Sequence, residues 1–136
     1  MSSADEQLIL DFYAAWNELG VEALEPAFAG DVVWHDDPLG PDGGTFHGRE
    51  AMAARLATYV EVMGEFKIIE PRVTELEDGR YLAEFVLAIR GEGSGIALEQ
   101  PHAHILRLAD GAVVEARQVL DPARMREELG LPPGGG

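Results

Sequence analysis

The hydrophobic pattern of this chain changes its period near the middle, and that change constrains the possible fold. Up to Gly64 apolar residues recur at helical spacing in three segments, which predicts helices ending near Gly20, Phe28 and Gly64. Beyond Gly64 they alternate or run continuously in four segments joined by glycine-containing turns, 66–76, 81–90, 98–109 and 112–120. Helices followed by antiparallel strands predict an α+β domain whose curved sheet wraps around the N-terminal helices and leaves an internal apolar cavity.

The chain length is consistent with one domain. A chain of 136 residues is long enough to bury a core and too short for two ordinary domains. We expect a single domain over residues 1–131 and a flexible C-terminal tail over 132–136. Pro71 lies inside the first long strand, which favours an edge position or a β-bulge there.

Charge and composition limit the classes of partner that this chain can bind. Ten basic and 25 acidic residues give a formal net charge of -15, which repels phosphate backbones and anionic lipid surfaces. We therefore expect no nucleic-acid partner and no membrane partner. The chain has no cysteine, and no apolar run has the length of a signal sequence or a membrane span, which favours a cytoplasmic protein.

The segment from Trp34 to Gly40 carries the clearest chemical signal. Asp36 and Asp37 follow a short apolar strand over 32–35 and precede a glycine-rich loop. Proline restricts the residue before it to extended geometry, so Pro38 fixes the direction in which the Asp37 carboxylate leaves the strand. A carboxylate held near apolar walls can act as a base. The alternative is that both aspartates only initiate a turn.

Strand parity indicates which polar groups face the interior. His102 and His104 share a face with leucines, and Gln118 shares a face with Val114 on the last strand. The alternative for each histidine is a hydrogen-bonded core residue. The pair also permits a metal site with Asp37 or His47 as a third ligand, but nothing in the spacing enforces that ligand. We expect no metal.

The order of elements resembles a known superfamily over nearly the whole chain. Two helices, a strand, Asp37-Pro38-Leu39-Gly40, a glycine-rich loop, a helix opening at His47-Gly48-Arg49-Glu50 and four strands are similar to the SnoaL-like and ketosteroid isomerase-like families. These families belong to the nuclear transport factor 2-like superfamily, and the resemblance implies a cone-shaped α+β barrel.

The resemblance also implies roles for three residues. Asp37 matches the proton-transferring base of the bacterial steroid isomerases, and Tyr13 matches their oxyanion-binding tyrosine. His104 stands where those isomerases have a protonated aspartic acid. Histidine can still donate a hydrogen bond, but a cationic His104 would pair with Asp37 and lower its basicity. This departure moves the chain toward the polyketide cyclases of the same superfamily.

The leading hypothesis is a cofactor-independent enzyme that abstracts a proton next to a carbonyl of an apolar small molecule. Asp37 would be the base, with Tyr13 and His104 as oxyanion donors. The residues expected to bind substrate are Trp16, Trp34, Glu65, His102 and Gln118. One alternative is an epoxide hydrolase or cyclase that uses Asp37 with Glu65 or His102. A second alternative is a non-catalytic ligand-binding or dimerisation domain. An exposed sheet face predicts a homodimer.

Overall fold

The computed structural model describes residues 3–40, 43–90 and 97–133, and these residues form the predicted α+β fold. The helical elements are α1 (Ser3–Leu19), a short 3-10 helix (Gly20–Ala23), α2 (Leu24–Ala27), α3 (Arg49–Met63) and α4 (Pro122–Glu128). The strands are β1 (Phe28–His35), β2 (Thr45–His47), β3 (Glu65–Glu75), β4 (Tyr81–Arg90), β5 (Ala97–Ala109) and β6 (Ala112–Val119). The predicted tail beyond residue 133 lies outside the described residues.

One curved sheet contains all six strands in the order β2-β1-β6-β5-β4-β3. The four long strands of the second half pair antiparallel in sequence order, as predicted. The pairing of β1 was not predicted: it runs parallel to β6 and antiparallel to β2, a short strand inside the segment expected to be a loop. Because β1 joins β6, the end of β1 that carries Asp37 lies beside the last strand.

The prediction for Pro71 is confirmed in both of its forms. β3 is an edge strand, and its register against β4 shifts between Ile69 and Arg72, on either side of this proline. The residue before it, Glu70, has a positive φ of 52°, which is uncommon for a residue other than glycine. The bulge changes the direction of the strand, and this helps the sheet to curl around the helices.

A second irregularity corrects the parity predicted for the last strand. The β5–β6 register shifts between Arg107 and Leu108, so the side chains before and after the shift differ in phase. As a result Val113, rather than Val114, is buried in the core, while Ala116 keeps the predicted direction. A bulge adds one residue, and one residue is enough to reverse the face on which a side chain lies.

The side chain of Asn17 connects α1 to the edge strand. Its amide nitrogen donates to the carbonyl oxygen of Ile68 at 2.8 Å, and its amide oxygen accepts from the Ile68 backbone nitrogen at 2.7 Å. Trp16, the preceding residue, donates from Nε1 to the carbonyl oxygen of Phe66 at 3.3 Å. The helix thereby supplies hydrogen-bond partners that a neighbouring strand would otherwise provide at this edge.

The apolar residues form two cores on the two sides of the sheet. The larger core lies between α1, α2, α3 and the concave face, and it includes Phe12, Trp16, Trp34 and Phe85. The smaller core lies on the convex face, where Met125 of α4 and Leu129, the residue that follows this helix, pack against Leu82 and its neighbours. None of the described helices is long and apolar enough to cross a membrane. The concave face therefore surrounds the space in which a site can form.

Candidate active site

A cavity of about 440 Å³ lies between the concave face of the sheet, α1 and α3. Most of its walls are apolar, and this size and character are typical of sites for small organic molecules. The polar side chains that line it come from the end of β1, from α3, from β5 and from β6. They are Asp36, Asp37, Arg55, Thr58, Tyr59, Gln100, His102, His104 and Gln118.

Asp37 lies just beyond the end of β1, where the chain enters the turn predicted from Pro38. Its carbonyl oxygen accepts from the Gly40 backbone nitrogen at 2.9 Å, which closes the turn. Its carboxylate is buried and accepts one backbone N-H on each oxygen, from Leu39 at 2.9 Å and from Leu120 at 2.7 Å. The side chain of Gln118 accepts from the Asp37 backbone nitrogen at 3.0 Å. These contacts fix the orientation of the carboxylate at the cavity wall.

The Asp36 carboxylate is hydrogen-bonded to side chains, unlike that of Asp37, which is hydrogen-bonded to backbone N-H groups. Its buried carboxylate accepts hydrogen bonds from Trp34 Nε1 at 2.8 Å, from the Tyr59 hydroxyl at 2.9 Å and from Arg55 Nη2 at 2.7 Å. The Arg55 guanidinium lies against the rings of Phe46 and Tyr59, with Cζ 5.2 and 4.6 Å from the two centroids. The hydrogen bond to Asp36 is the main cause of the raised pKa of Arg55. Asp36 is therefore committed to a buried ion pair that ties α3 to β1.

The sequence analysis did not identify this Asp36 cluster. Arg55 and Tyr59 are one helical turn apart on α3, which is the spacing of two side chains that lie on the same face. That spacing was a usable signal, but it does not show which acid the pair contacts. The acid is 19 residues away in sequence from Arg55.

Tyr13 and His104 meet across the core. The Tyr13 hydroxyl lies 2.9 Å from His104 Nδ1, and the two rings are stacked with their centroids 5.9 Å apart. His104 lines the cavity, whereas Tyr13 is buried behind it and is not among the lining residues. Burial also raises the pKa of Tyr13, so its hydroxyl stays protonated and requires an acceptor. The geometry supplies His104 Nδ1 as that acceptor.

His102 lies beside His104 on the cavity wall, with the ring centroids 5.9 Å apart. Its Nδ1 is buried and has no hydrogen-bond partner among the described residues. Burial lowers the pKa of His102 to about 4, partly offset by the negative charge of Asp37. Burial, and secondarily the proximity of His102, lowers the pKa of His104 to about 3. Both imidazoles are therefore neutral near pH 7.

The remaining predicted residues divide into two groups. Trp16, Trp34 and Gln118 line the cavity. Glu65 does not: it lies on the exposed side of the β3 start, where its carboxylate is 3.1 Å from Lys67 Nζ. His47 is exposed on β2. Across residues 3–40, 43–90 and 97–133, no group of three or more potential ligand side chains is placed to hold a metal ion.

Solved structures support the fold. Bal32a from a soil-derived mobile gene cassette is 22% identical, with a TM-score of 0.74 over 94% of this chain and 97% of that chain. TerC co-crystallised with polyporic acid is 21% identical, with a TM-score of 0.73 over 94% and 99%. A suggested polyketide cyclase from Xanthomonas campestris pv. campestris is 22% identical, with a TM-score of 0.71 over 93% and 95%. At these identities the likeness concerns the fold alone.

Comparison of the sequence with family models identifies the family as well as the fold. Comparison with curated protein sequences gives no significant match. The family model of the SnoaL-like domain matches residues 9–116, which include most of the elements that form the cavity. This chain therefore belongs to the family of SnoaL-like domains.

Proposed function

We propose that this chain is a cofactor-independent enzyme that abstracts a proton next to a carbonyl of an apolar small molecule, as an isomerase or a cyclase does. Asp37 acts as the base, and the His104 N-H donates to the oxyanion. The observation that carries the proposal is that a fixed carboxylate and a neutral imidazole line one largely apolar cavity. An apolar cavity strengthens the interaction of both groups with charge that develops in the substrate.

Asp37 retains the capacity to accept a proton. Each carboxylate oxygen has two lone pairs, and the backbone hydrogen bonds from Leu39 and Leu120 use one on each. These hydrogen bonds prevent the side chain from rotating away from the substrate. Because both histidines are neutral near pH 7, neither forms an ion pair with Asp37, which supports the proposed role of this carboxylate.

Tyr13 acts through His104 in this proposal, rather than as a direct donor to the substrate. The buried hydroxyl donates to His104 Nδ1, so the imidazole carries its proton on Nε2. In that tautomer the Nε2-H can donate a hydrogen bond to the oxyanion while the imidazole remains neutral. Tyr13 is then a positioning residue that selects the tautomer and holds the ring plane by stacking.

The proposed reaction balances without a co-reactant. Asp37 takes the proton from the carbon next to the carbonyl, and the electron pair of the broken C-H bond moves to the carbonyl oxygen, where His104 donates to it. In an isomerisation, Asp37 returns the proton to the γ carbon and the double bond shifts. In a cyclisation, the enolate carbon forms a bond with a second carbonyl carbon of the same molecule, the π electron pair of that carbonyl moves to its oxygen, and Asp37 returns the proton to this oxygen. Both outcomes share the first step.

The epoxide alternative receives less support. It needs an acid opposite Asp37, but Glu65 lies outside the cavity and pairs with Lys67. His102 does line the cavity, yet with a pKa of about 4 it has no acidic proton to give near pH 7. The remaining alternative is a domain that binds an apolar ligand without transforming it.

The test is isotope exchange. Incubation of 4-ethylcyclohexanone or a β,γ-unsaturated ketosteroid in D₂O reports enolate formation by mass spectrometry. Asp37→Asn should lower the rate by about 10²–10⁴-fold, the usual contribution of a positioned base. Asp31→Asn, on an exposed stretch of β1, is the matched control and should retain the full rate. Ligand binding without exchange that depends on Asp37 would favour the non-catalytic alternative.

The expected homodimer has a candidate interface on the convex face. The partly buried Ile69 and Val86 are cross-strand neighbours, and Val86 is in turn opposite the exposed Pro101, so the three form one row. An apolar row of this kind on a charged chain is a site where a second copy would pack. Equilibrium sedimentation should report a dimer, and Val86→Glu should give monomers. A monomeric wild-type chain would reject the dimer without affecting the proposed reaction.

A further inference from the structure

The cavity does not end at the buried polar groups but continues to an exposed apolar rim. Val62 and Met63 at the end of α3 and Leu120 just after β6 all line the cavity, yet all three side chains are exposed, Val62 by 80%. Leu39, in the turn that follows Asp37, is also exposed. We use the term rim for Leu39, Val62, Met63 and Leu120. An exposed apolar group joined to a cavity marks a place where a ligand continues.

Two members of the rim, Leu39 and Leu120, lie on the Asp37 side of the cavity. The Leu120 backbone nitrogen donates to the Asp37 carboxylate, and a Cβ on Gly40 would lie 3.5 Å from Leu120 Cδ1. His104, in contrast, is backed by the buried Tyr13. A carbonyl at His104 therefore places the rest of the molecule past Asp37 and toward the rim.

The charges near the cavity select against an acidic ligand. Asp36 and Arg55 neutralise each other through their ion pair, and both histidines are uncharged near pH 7. Asp37 then gives the lining one acidic side chain in excess of its basic ones, on a chain whose formal charge is already -15. A neutral molecule enters such a site at lower electrostatic cost than an anion does.

We propose that the substrate is a neutral ketone with a long hydrocarbon tail, and that the tail leaves the cavity across the rim. This inference rests on the proposed function for the position of the carbonyl and adds the substrate class. The occupant of the rim is the ligand itself, because Val62, Met63 and Leu120 line the same cavity as Asp37 and His104, and Leu39 lies two residues after Asp37.

A series of 4-alkylcyclohexanones from ethyl to dodecyl tests the proposal. These ketones do not fluoresce, and Trp16 and Trp34 line the cavity, so quenching of tryptophan fluorescence measures their affinity. Each methylene that becomes buried at the rim should tighten binding by about fourfold. The increase should stop once the tail extends past Val62 and Met63. Affinity that is independent of tail length in the wild-type protein would overturn the proposal.

Variants of the rim test whether these side chains cause the increase of affinity with tail length. The double change Val62→Ser with Leu120→Ser should flatten the increase between the ethyl and dodecyl ketones, with the ethyl compound as the reference within each protein. Leu19→Ser is the matched control, because Leu19 is equally apolar and exposed but does not line the cavity. An equal increase in the rim variant and the control would also overturn the proposal.

Two further measurements distinguish failure of the proposed substrate class from failure of the proposed reaction. Sedimentation of wild-type and rim variants shows whether the rim is instead an interface between two copies, since dimers lost only in the rim variant would overturn the proposal. Asp37→Asn should bind the long ketones with the same dependence on tail length, because this change affects the site of the carbonyl and the ring, which every ketone in the series shares. Length-dependent binding without isotope exchange would refute the proposed reaction and leave the ligand class standing.

Discussion

The ion pair between Arg55 and Asp36 provides a quantitative test of the structure that does not depend on any substrate. Arg55→Met replaces the guanidinium with an apolar side chain of similar length that favours helix as strongly. It removes the paired charge and leaves the Asp36 carboxylate, whose side chain is 2% exposed, with Trp34 and Tyr59 as its remaining donors among the described residues. Removing one partner of a buried ion pair leaves an uncompensated buried charge, and this is far more costly than replacing both partners with apolar residues.

The expected magnitude follows from this burial. Breaking a buried pair by removing one partner costs about 3–5 kcal/mol of the free energy of unfolding. With a urea dependence of about 2 kcal/mol per molar, typical of small domains, the unfolding midpoint should fall by roughly 2 M. The assay is equilibrium urea unfolding at neutral pH, followed by far-UV circular dichroism and by the fluorescence of the two tryptophans.

Two further variants serve as comparisons for the stability loss in Arg55→Met. Arg107→Met is the matched control, because Arg107 lies 3.6 Å from Glu115 with both side chains more than two-fifths exposed. Exposed pairs contribute about 0–1 kcal/mol, so this variant should unfold near the wild-type midpoint. Adding Asp36→Asn to Arg55→Met removes the buried charge and should recover part of the lost stability. Equal, small losses for both arginine variants would refute the reasoning.

Three other predictions concern buried polar groups outside the Asp36 cluster. Tyr13→Phe should lower the free energy of unfolding by about 1–3 kcal/mol and slow exchange by less than about a hundredfold; a larger loss of rate would mean that the hydroxyl contacts the substrate directly. Because burial lowers the pKa values of His102 and His104, the unfolded chain binds more protons below pH 6.5, so stability should fall from there toward pH 4. In urea titrations across this range His102→Gln should lose less stability than wild type, and parallel curves would contradict the assignment. Arg126→Met should leave the buried Glu84 unpaired and destabilise the docking of α4, which hydrogen exchange in that helix would report; unchanged protection would count against it.

Local signals in the sequence predicted much of the fold and the acidic turn. The change from helical to alternating spacing identified the four long strands, and Pro71 identified the bulge. The position of Asp37 followed from Pro38, which acts on the residue immediately before it. His104 and Gln118 were placed by parity, and because the bulge in β5 and β6 lies beyond both residues, it left their direction unchanged.

The features that could not be predicted from the sequence depend on tertiary structure. β2 is three residues long and has glycines near both ends, so no periodicity could reveal it. The role of Arg55 depends on how α3 is oriented against β1, and sequence spacing does not encode that orientation. The resemblance predicts Tyr13 and His104 as two oxyanion donors, and only coordinates could indicate that the Tyr13 hydroxyl contacts the imidazole rather than the cavity.

The contact between Asn17 and Ile68 has a consequence for how this chain can aggregate. An uncovered edge strand can recruit another chain by backbone pairing, and β3 is the longer of the two edges of the sheet. At Ile68 both backbone groups are already occupied by the asparagine side chain. Replacing Asn17 with leucine would therefore open the edge to fibril-like growth while leaving the apolar packing of α1 nearly intact. Growth of such assemblies would be seen by thioflavin fluorescence under conditions where the wild-type chain stays dispersed.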